Sequence, residues 1–455
     1  MKQALTAKLK LHTTPEQFKQ LRDTQLAYRD ALNYVSRYAF AHGKTSSNLT
    51  MHRGCYQEIR VRFHLPSQMA CSVERDVASQ YKGLWTKLMK NREQRKAGYT
   101  RKRFKGLDQA PKFVSPTLLY QYGKDFSFKK EQQVSILTLS GRLVVPYQGY
   151  DQHLASISKG AEIGAARLWY DQPRKQFYLL VTIEVECPDP TPEQQTQVVG
   201  VDVGIRYLAV TSDDQGKATF HSGKRVRARA NHDARLRKRL QKKGTRAATR
   251  RLKAISGRER RLKMQANHTL SKRIIAKYPH VLIGIEQLHG IRERTKQRKR
   301  RHKKNGKGSE PVSVKARKAN RISSQWSFAE LHGMLAYKAV LSGSMVVRVD
   351  ADYTSKGCPK CGQVCDENRP RKGLLFRCVT CRYTLHADLV GARNIVLRTL
   401  VVRQDWATTG QLSVAPEPSG SDASANEAKA ARLRRYAGLR GMPEVSSSPS
   451  RGLSI

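Results

Sequence analysis

Three acids and four cysteines in the second half of this 455-residue chain stand in settings that ask for a cation. Asp202 lies inside Val199-Gly-Val-Asp-Val-Gly204, and Glu286 closes Val281-Leu-Ile-Gly-Ile-Glu286. A charge flanked by buried strand residues is costly unless a cation or hydrogen bonds offset it. Asp388 ends the strand-like Leu385-His-Ala-Asp388 and precedes a helix-like run, Gly391-Ala-Arg-Asn-Ile-Val396. Three carboxylates converging at strand ends suit two Mg²⁺ ions, one to activate an attacking water and one to stabilise the leaving 3′ oxygen of a phosphodiester. Taken singly, each acid reads equally well as a solvated strand-end residue. Taken together, in this order around a basic helical stretch, they favour catalysis.

The cysteines form two pairs, Cys358-x2-Cys361 and Cys378-x2-Cys381, separated by 16 residues. Two tight turns, each presenting two thiolates, close a tetrahedron around one Zn²⁺. Four sulfurs leave no open coordination position, so this metal is expected to be structural. Cys365 and His386 are alternates of poorer spacing, and Cys365 is expected to lie free in the ribbon loop.

Eighty-six Lys and Arg against 36 Asp and Glu give a formal net charge of +50. A small-molecule enzyme gains nothing from such self-repulsion, whereas a polyphosphate partner neutralises it. Nucleic acid is therefore the leading partner, ahead of an anionic membrane. Cys55, Cys71 and Cys187 are scattered without a disulfide-like pattern, which points to a reducing compartment. No signal-like start and no apolar run near the roughly 20 residues of a membrane span predict a soluble, cytoplasmic protein.

Around these residues the periodicity changes along the chain. Residues 1–12 read as a strand. Thr14, Pro15 and Gln17 then mark a helix start with a capping box, and Phe18, Leu21, Tyr28, Leu32 and Val35 continue at helical spacing. Residues 55–95 read as helix, and the basic segment Lys96–Lys105 ends the helical block. From about 126 to 187 the period is two, with strands at Val134–Leu139, Leu143–Val145 and Phe177–Val185. Pro188, Pro190 and Pro192 form a linker. Strands are expected at Val198–Asp202, Tyr207–Thr211, His280–Glu286 and Met345–Val349. A long basic helix over 224–275 and an amphipathic helix on Phe328, Leu331, Leu335 and Ala339 separate them. Arg292–Arg321 is too charged to fold alone, and the Ser/Pro/Ala/Gly-rich end is expected to be disordered.

These segments resemble the TnpB family, the RNA-guided nucleases encoded by bacterial insertion sequences and related to type V CRISPR effectors. The resemblance rests on Gly200–Ile205, Ile283–Leu288, Gln325–Leu331, Tyr353–Gly362 and His386–Ile395, which cover most of 198–400 in family order. It implies an α/β fold with β-barrel and helical modules. A RuvC-like nuclease core of RNase H type (196–350 and 382–405) would carry Asp202, Glu286 and Asp388 as metal-binding acids. A zinc ribbon (351–381), a wedge-like β-barrel (1–12 and 120–195), an inserted helical recognition domain (13–119) and a disordered tail (406–455) would complete the chain. Two Mg²⁺ and one Zn²⁺ are the implied cofactors.

The implied partners are a guide RNA from the element's end and double-stranded target DNA beside a short flanking motif, with no membrane and with the protein a monomer on its RNA. The implied activity is double-strand cleavage of that DNA by a single site. The basic stretch 224–275 is the candidate guide–target contact, Arg292–Arg321 a candidate mobile segment near the cleft, and Ser46–Arg75 the first place to seek motif-reading residues. One departure stands out: the family's Asn after the third acid is Val390 here, which would loosen the acid's surroundings without removing a ligand. Two alternatives are a nuclease-inactive RNA-guided repressor, which would be expected to lack one of the acids, and a guide-free RuvC-like nuclease or transposase. The inserted helices, the ribbon and the excess basic surface argue against the second.

Overall fold

The computed structural model describes residues 1–98, 100–114, 117–288, 300–302, 309–314, 316–317, 320, 327–370 and 374–412. They divide into two compact units, one ending at Glu186 and the other beginning at Cys187, just before the proline-rich linker.

The first unit opens with strand β1 (Lys2–Leu11) and three helices, α1 (Pro15–Ala41), α2 (Asn48–Phe63) and α3 (Ser67–Lys96). Thr14 and Gln17 form the expected capping box, with Gln17 N donating to Thr14 Oγ1 at 3.2 Å and Thr14 N to the Gln17 side chain at 3.1 Å. The helix expected over 55–95 is two helices. They part at Leu65-Pro66, because proline has no N–H to continue the ladder, and His64 turns left-handed at φ 52°.

Strands β2 (Thr117–Tyr120), β3 (Phe126–Lys129), β4 (Gln133–Thr138) and β5 (Gly141–Gln148) follow, then the short α4 (Asp151–Ser158), β6 (Glu162–Asp171) and β7 (Gln176–Glu186). They form one antiparallel, nearly closed sheet in the order β2-β6-β7-β1-β5-β4-β3. β1 binds β7 from Lys2↔Glu186 to Lys10↔Tyr178 and reaches β5 at Lys10↔Gln148. The helices thus leave the sheet after its central strand and return to its edge. Tyr28 donates its hydroxyl to Asp76 at 3.1 Å, and Arg167 of β6 pairs with the same carboxylate at 2.9 Å, tying α1 and α3 to the sheet.

The second unit is built on β8 (Gln197–Asp202), β9 (Tyr207–Asp213) and β10 (Ala218–Ser222), an antiparallel meander. The basic stretch is three helices, α5 (Lys224–Lys243), α6 (Arg246–Ile255) and α7 (Arg258–Lys277), interrupted at the left-handed Gly244 and Gly257. β11 (Val281–Glu286) then pairs parallel with β8. Of the basic run 292–321, mostly outside the described residues, β12 (Arg300–His302) and β13 (Ser309–Pro311) pair as a short hairpin. The segment 321–326, which includes the start of the Gln325 motif, also lies outside them.

Helix α8 (Phe328–Leu341), β14 (Met345–Val349), the ribbon strands β15 (Leu375–Arg377) and β16 (Thr384–His386), and α9 (Ala387–Thr409) finish the unit. The main sheet runs β10-β9-β8-β11-β14. Its central strands are buried on both faces, and alternation sorts the partners. Val199, Val201, Ile283 and Ile285 pack with Leu270 and Ile274 of α7 and Leu331 and Leu335 of α8. Val198, Leu282 and Val347 pack with Ile395, Val396 and Trp406 of α9. The last helix runs to Thr409, past the 406 boundary of the expected tail, and residues 413–455 lie outside the described residues. Among the described residues no helix is long and apolar enough to cross a membrane.

Candidate active site and cysteine ribbon

Asp202 and Glu286 are the last residues of the adjacent parallel strands β8 and β11. Strand alternation puts each on the same face as the glycine two residues before it, the face that α9 covers. A Cβ at Gly200 would collide with the Ala392 carbonyl oxygen, and one at Gly284 with the Thr399 hydroxyl. The sheet therefore lets α9 approach until its first turn meets the two acids. A Cβ on Gly391 would lie 2.8 Å from Asp202 Oδ2.

Asp388 is not on a strand end, as the sequence suggests, but in the first turn of α9. β16 passes into that helix without an intervening residue, and His386 caps it, its Nδ1 accepting from Asp388 N at 3.2 Å. The His386 ring stands edge-on to Tyr207 and Phe220, with centroids 5.6 and 5.0 Å away, so it takes no part in the cysteine cluster. Burial lowers the imidazole pKa, in keeping with a neutral ring that accepts.

All three acids come together. Burial, then the charges of Glu286 and Asp388, push the Asp202 carboxyl well above the usual range. Burial also raises Glu286, opposed by the hydroxyl of Thr354, which donates to Glu286 Oε1, and by the charges of Arg398 and Arg369. A carboxylate cluster that repels its own ionisation has the donor set for hard divalent cations, so these residues fit Mg²⁺.

Two residues of this site have roles that their local sequence does not show. Thr354 follows β14 and is nearly fully buried, and Asn394 of α9 fixes its segment by donating to Thr354 O and Gly357 O at 2.7 and 2.8 Å. Arg369 comes from the ribbon and brings its guanidinium 3.8 Å from Asp388 Oδ1. Arg369 is one of 86 basic residues, and nothing in its neighbours distinguishes it.

The ribbon itself is two turns. Gly362 N bonds Cys358 O at 2.9 Å and Arg382 N bonds Cys378 O at 3.1 Å, with Gly362 and Arg382 left-handed at φ 78° and 60°. Buried Asn368 joins the turns, donating to Gln363 O at 3.2 Å and accepting from Val379 N at 2.9 Å, and so sets the position of Arg369 beside it. The four Sγ atoms lie within 4.8 Å of one another, with Cys358–Cys381 at 3.6 Å and Cys361–Cys378 at 3.5 Å. Metal–sulfur bonds of ~2.3 Å in a tetrahedron separate sulfurs by about 3.8 Å, so the cluster fits a structural zinc. Burial raises the Cys378 thiol, but backbone N–H groups of Cys381 and Thr380 outweigh it and lower the pKa to about 7. Cys365 stands outside the cluster, its thiol against Glu367.

Helices α5–α7 form the basic surface beside this core. Their two acids are Asp233 and Glu259. Glu259 pairs with Lys263 at 2.7 Å and with Arg237, and Asp233 lies 3.7 Å from Arg229, so acids cannot offset the remaining bases.

Known proteins match the same segments. The family model OrfB_IS605, described as a probable transposase, matches residues 180–290, and the Cas12f1-like TNB domain matches 328–395. The putative RNA-guided DNA endonuclease InsQ of Escherichia coli (strain K12) is 27% identical over 280 residues, 60% of this chain and 66% of that protein. The CRISPR-associated endodeoxyribonuclease Cas12f1 of Sulfoacidibacillus thermotolerans is 35% identical over 78 residues, 17% of this chain and 18% of that protein. The chain thus spans two thirds or less of these relatives. In fold it is similar to CasPhi-2 (Cas12j) solved bound to crRNA, with a TM-score of 0.50 at 13% identity over 90% of this chain and 99% of that one. These matches fall on the same segments that carry the resemblance to the TnpB family of insertion-sequence proteins.

Proposed function

We propose that this chain is an RNA-guided, Mg²⁺-dependent DNA endonuclease that cuts target DNA next to a short flanking motif. The observation that carries this reading is the meeting of Asp202, Glu286 and Asp388 on one sheet face, where burial and mutual repulsion hold Asp202 against ionisation. The mixed five-stranded sheet with helices on both faces supports a RuvC-like, RNase H-type core. The nearly closed sheet of the first unit suits the wedge role, and α1–α3 that of the recognition domain. InsQ and Cas12f1 are named as endonucleases, and the first also as RNA-guided.

Bound Mg²⁺ would supply the positive charge that activates a water and stabilises the leaving 3′ oxygen. The chain's own residues orient the acids around it. Thr354 keeps Glu286 turned to the cleft, His386 and the first turn of α9 fix Asp388, and Arg369 neutralises the acid side of the cluster. Helices α5–α7 contact phosphates of the guide–target duplex, an interaction without sequence information, which leaves specificity to base pairing.

The test is to express the protein with its native flanking DNA and to sequence the RNA it retains. A single abundant RNA with a fixed scaffold supports the reading, and target cleavage lost in Asp202→Ala with target binding kept completes it. Heterogeneous RNA released by moderate salt would overturn guided targeting, and cutting at the wild-type rate by Asp202→Ala would overturn the metal site.

A further inference from the structure

A second cluster of metal-ligating side chains lies in the first unit, far along the chain from the acids and the ribbon. His52 of α2 and Cys71 and Glu74 of α3 bring one ligand atom each to within 4.8 Å of one another. The arrangement has a simple local origin. Cys71 and Glu74 are spaced i, i+3 on α3, so they share a face one turn apart, and α2 packs its own His52 and Cys55, again i, i+3, in the same helix pair.

The carboxylate is the telling member. Glu74 is fully buried, yet only one of its oxygens is satisfied, Oε2 meeting His52 Nδ1 at 2.8 Å. Its Oε1 is buried with no hydrogen-bond partner among the described residues. A buried carboxylate with an idle oxygen is costly, and evolution has cheaper residues for a helix interface. Lysine and arginine, which the chain has in excess, would be the ordinary way to satisfy it, and none forms an ion pair with it among the described residues. Its ligand-bearing neighbours are instead an imidazole and a thiol, and Arg75 acts on it through charge alone. His52 keeps 43% of its side chain accessible, so the imidazole of the cluster meets solvent.

We propose that His52, Cys71 and Glu74 form a metal site for a borderline-soft divalent cation, Zn²⁺ by chemical class, clamping α2 against α3. One nitrogen, one sulfur and one carboxylate oxygen is a zinc donor set, and it is wrong for Mg²⁺ or Ca²⁺, which take oxygen. The 2.8 Å hydrogen bond between His52 and Glu74 is a few tenths of an ångström shorter than the nitrogen–oxygen separation across a tetrahedral zinc, so small side-chain rotations admit the ion. Three protein ligands leave a fourth position for water. The site is independent of the nuclease reading: it would hold whether or not the protein cuts DNA.

The experiment uses the full chain with its retained nucleic acid, purified from zinc-supplemented cells and measured for zinc per chain by elemental analysis. About two zinc ions are expected in the wild type, the ribbon's and this one, and about one in each of His52→Asn and Cys71→Ser. Cobalt(II) in place of zinc should give a thiolate-to-cobalt band that shrinks in Cys71→Ser. His52 is partly exposed, so His52→Asn should fold even if Cys71→Ser does not, and circular dichroism checks both. About one zinc in the wild type overturns the site, as do two zinc ions retained by His52→Asn.

Discussion

Gly200 and Gly284 are register partners on the parallel strands β8 and β11, and each stands two residues before a candidate metal-binding acid. The pair makes a smooth floor on which α9 rests, and it sets the depth at which Asp388 meets Asp202 and Glu286. Gly200→Ala would drive a methyl group into the backbone of α9 at Ala392 and Val396, which cannot yield as a side chain can. Overpacking of this kind costs about 1–3 kcal/mol. A lower melting temperature for the second unit, with the first unit's transition unmoved, is the expected calorimetric result.

Asp202→Asn removes a carboxyl whose ionisation is opposed by burial and by the charges of Glu286 and Asp388. In metal-free buffer at neutral pH the variant should therefore melt above the wild type. Mg²⁺ should raise the wild-type transition and leave the variant's unchanged. A variant stabilised by Mg²⁺ as much as the wild type would contradict the assignment of Asp202 as a ligand.

Arg369 approaches Asp388 from the ribbon. Its removal in Arg369→Ala should lower target cleavage by about 10–100-fold, the scale for losing the partner of a metal-binding residue. RNA retention, target binding and ribbon zinc should persist, measured on the same preparation. Loss of zinc together with activity would instead make the effect structural.

His332 of α8 is buried, its Nε2 unpartnered among the described residues, and burial followed by the charge of Arg348 pushes its pKa down to about 4. A depressed pKa means that the folded state resists the proton. The stability this group contributes is therefore present above about pH 6.5, the unfolded value, and is lost as pH falls towards 4. Thermal melts should show the second unit weakening across that window, and His332→Gln should flatten the dependence by up to about 3 kcal/mol at its acid end.

Cys378→Ser breaks the four-sulfur cluster. Zinc content should fall by about one ion per chain, and the melting temperature should drop, since structural zinc contributes folding energy outright. Unchanged zinc and unchanged melting would remove the ribbon's metal from the structure.

Much of this arrangement is legible in the residues. The apolar runs at Val198–Asp202 and Val281–Glu286 give buried strands, each closing on an acid, and the Cys-x2-Cys spacing gives the ribbon. The capping box at Thr14 and Gln17 forms as its residue types dictate. Asp388 is misread because Leu385-His386 continues a strand pattern, and the helix that follows is capped by histidine, which is not among the favoured caps. Pro66, Gly244 and Gly257 do signal the breaks in the long helices, but helical spacing on either side outweighs a single punctuating residue. The roles of Arg369 and Thr354 are hidden for a deeper reason. Thr354 falls inside the Tyr353–Gly362 segment, yet nothing local marks its hydroxyl as the partner of Glu286, and Arg369 sits in no local pattern; both act by tertiary approach.

The unbroken passage from β16 into α9 makes the ribbon and the third acid one mechanical part. An α-helix turns roughly 100° per residue, so a single residue inserted after His386 would swing Asp388 a quarter-turn or more away from the other two carboxylates while leaving every ligand and every acid present in the sequence. Length at this junction is thus as constrained as composition. A relative with all seven chemical residues but a shifted spacing here should be expected to hold its zinc, bind its nucleic acid and fail to cut.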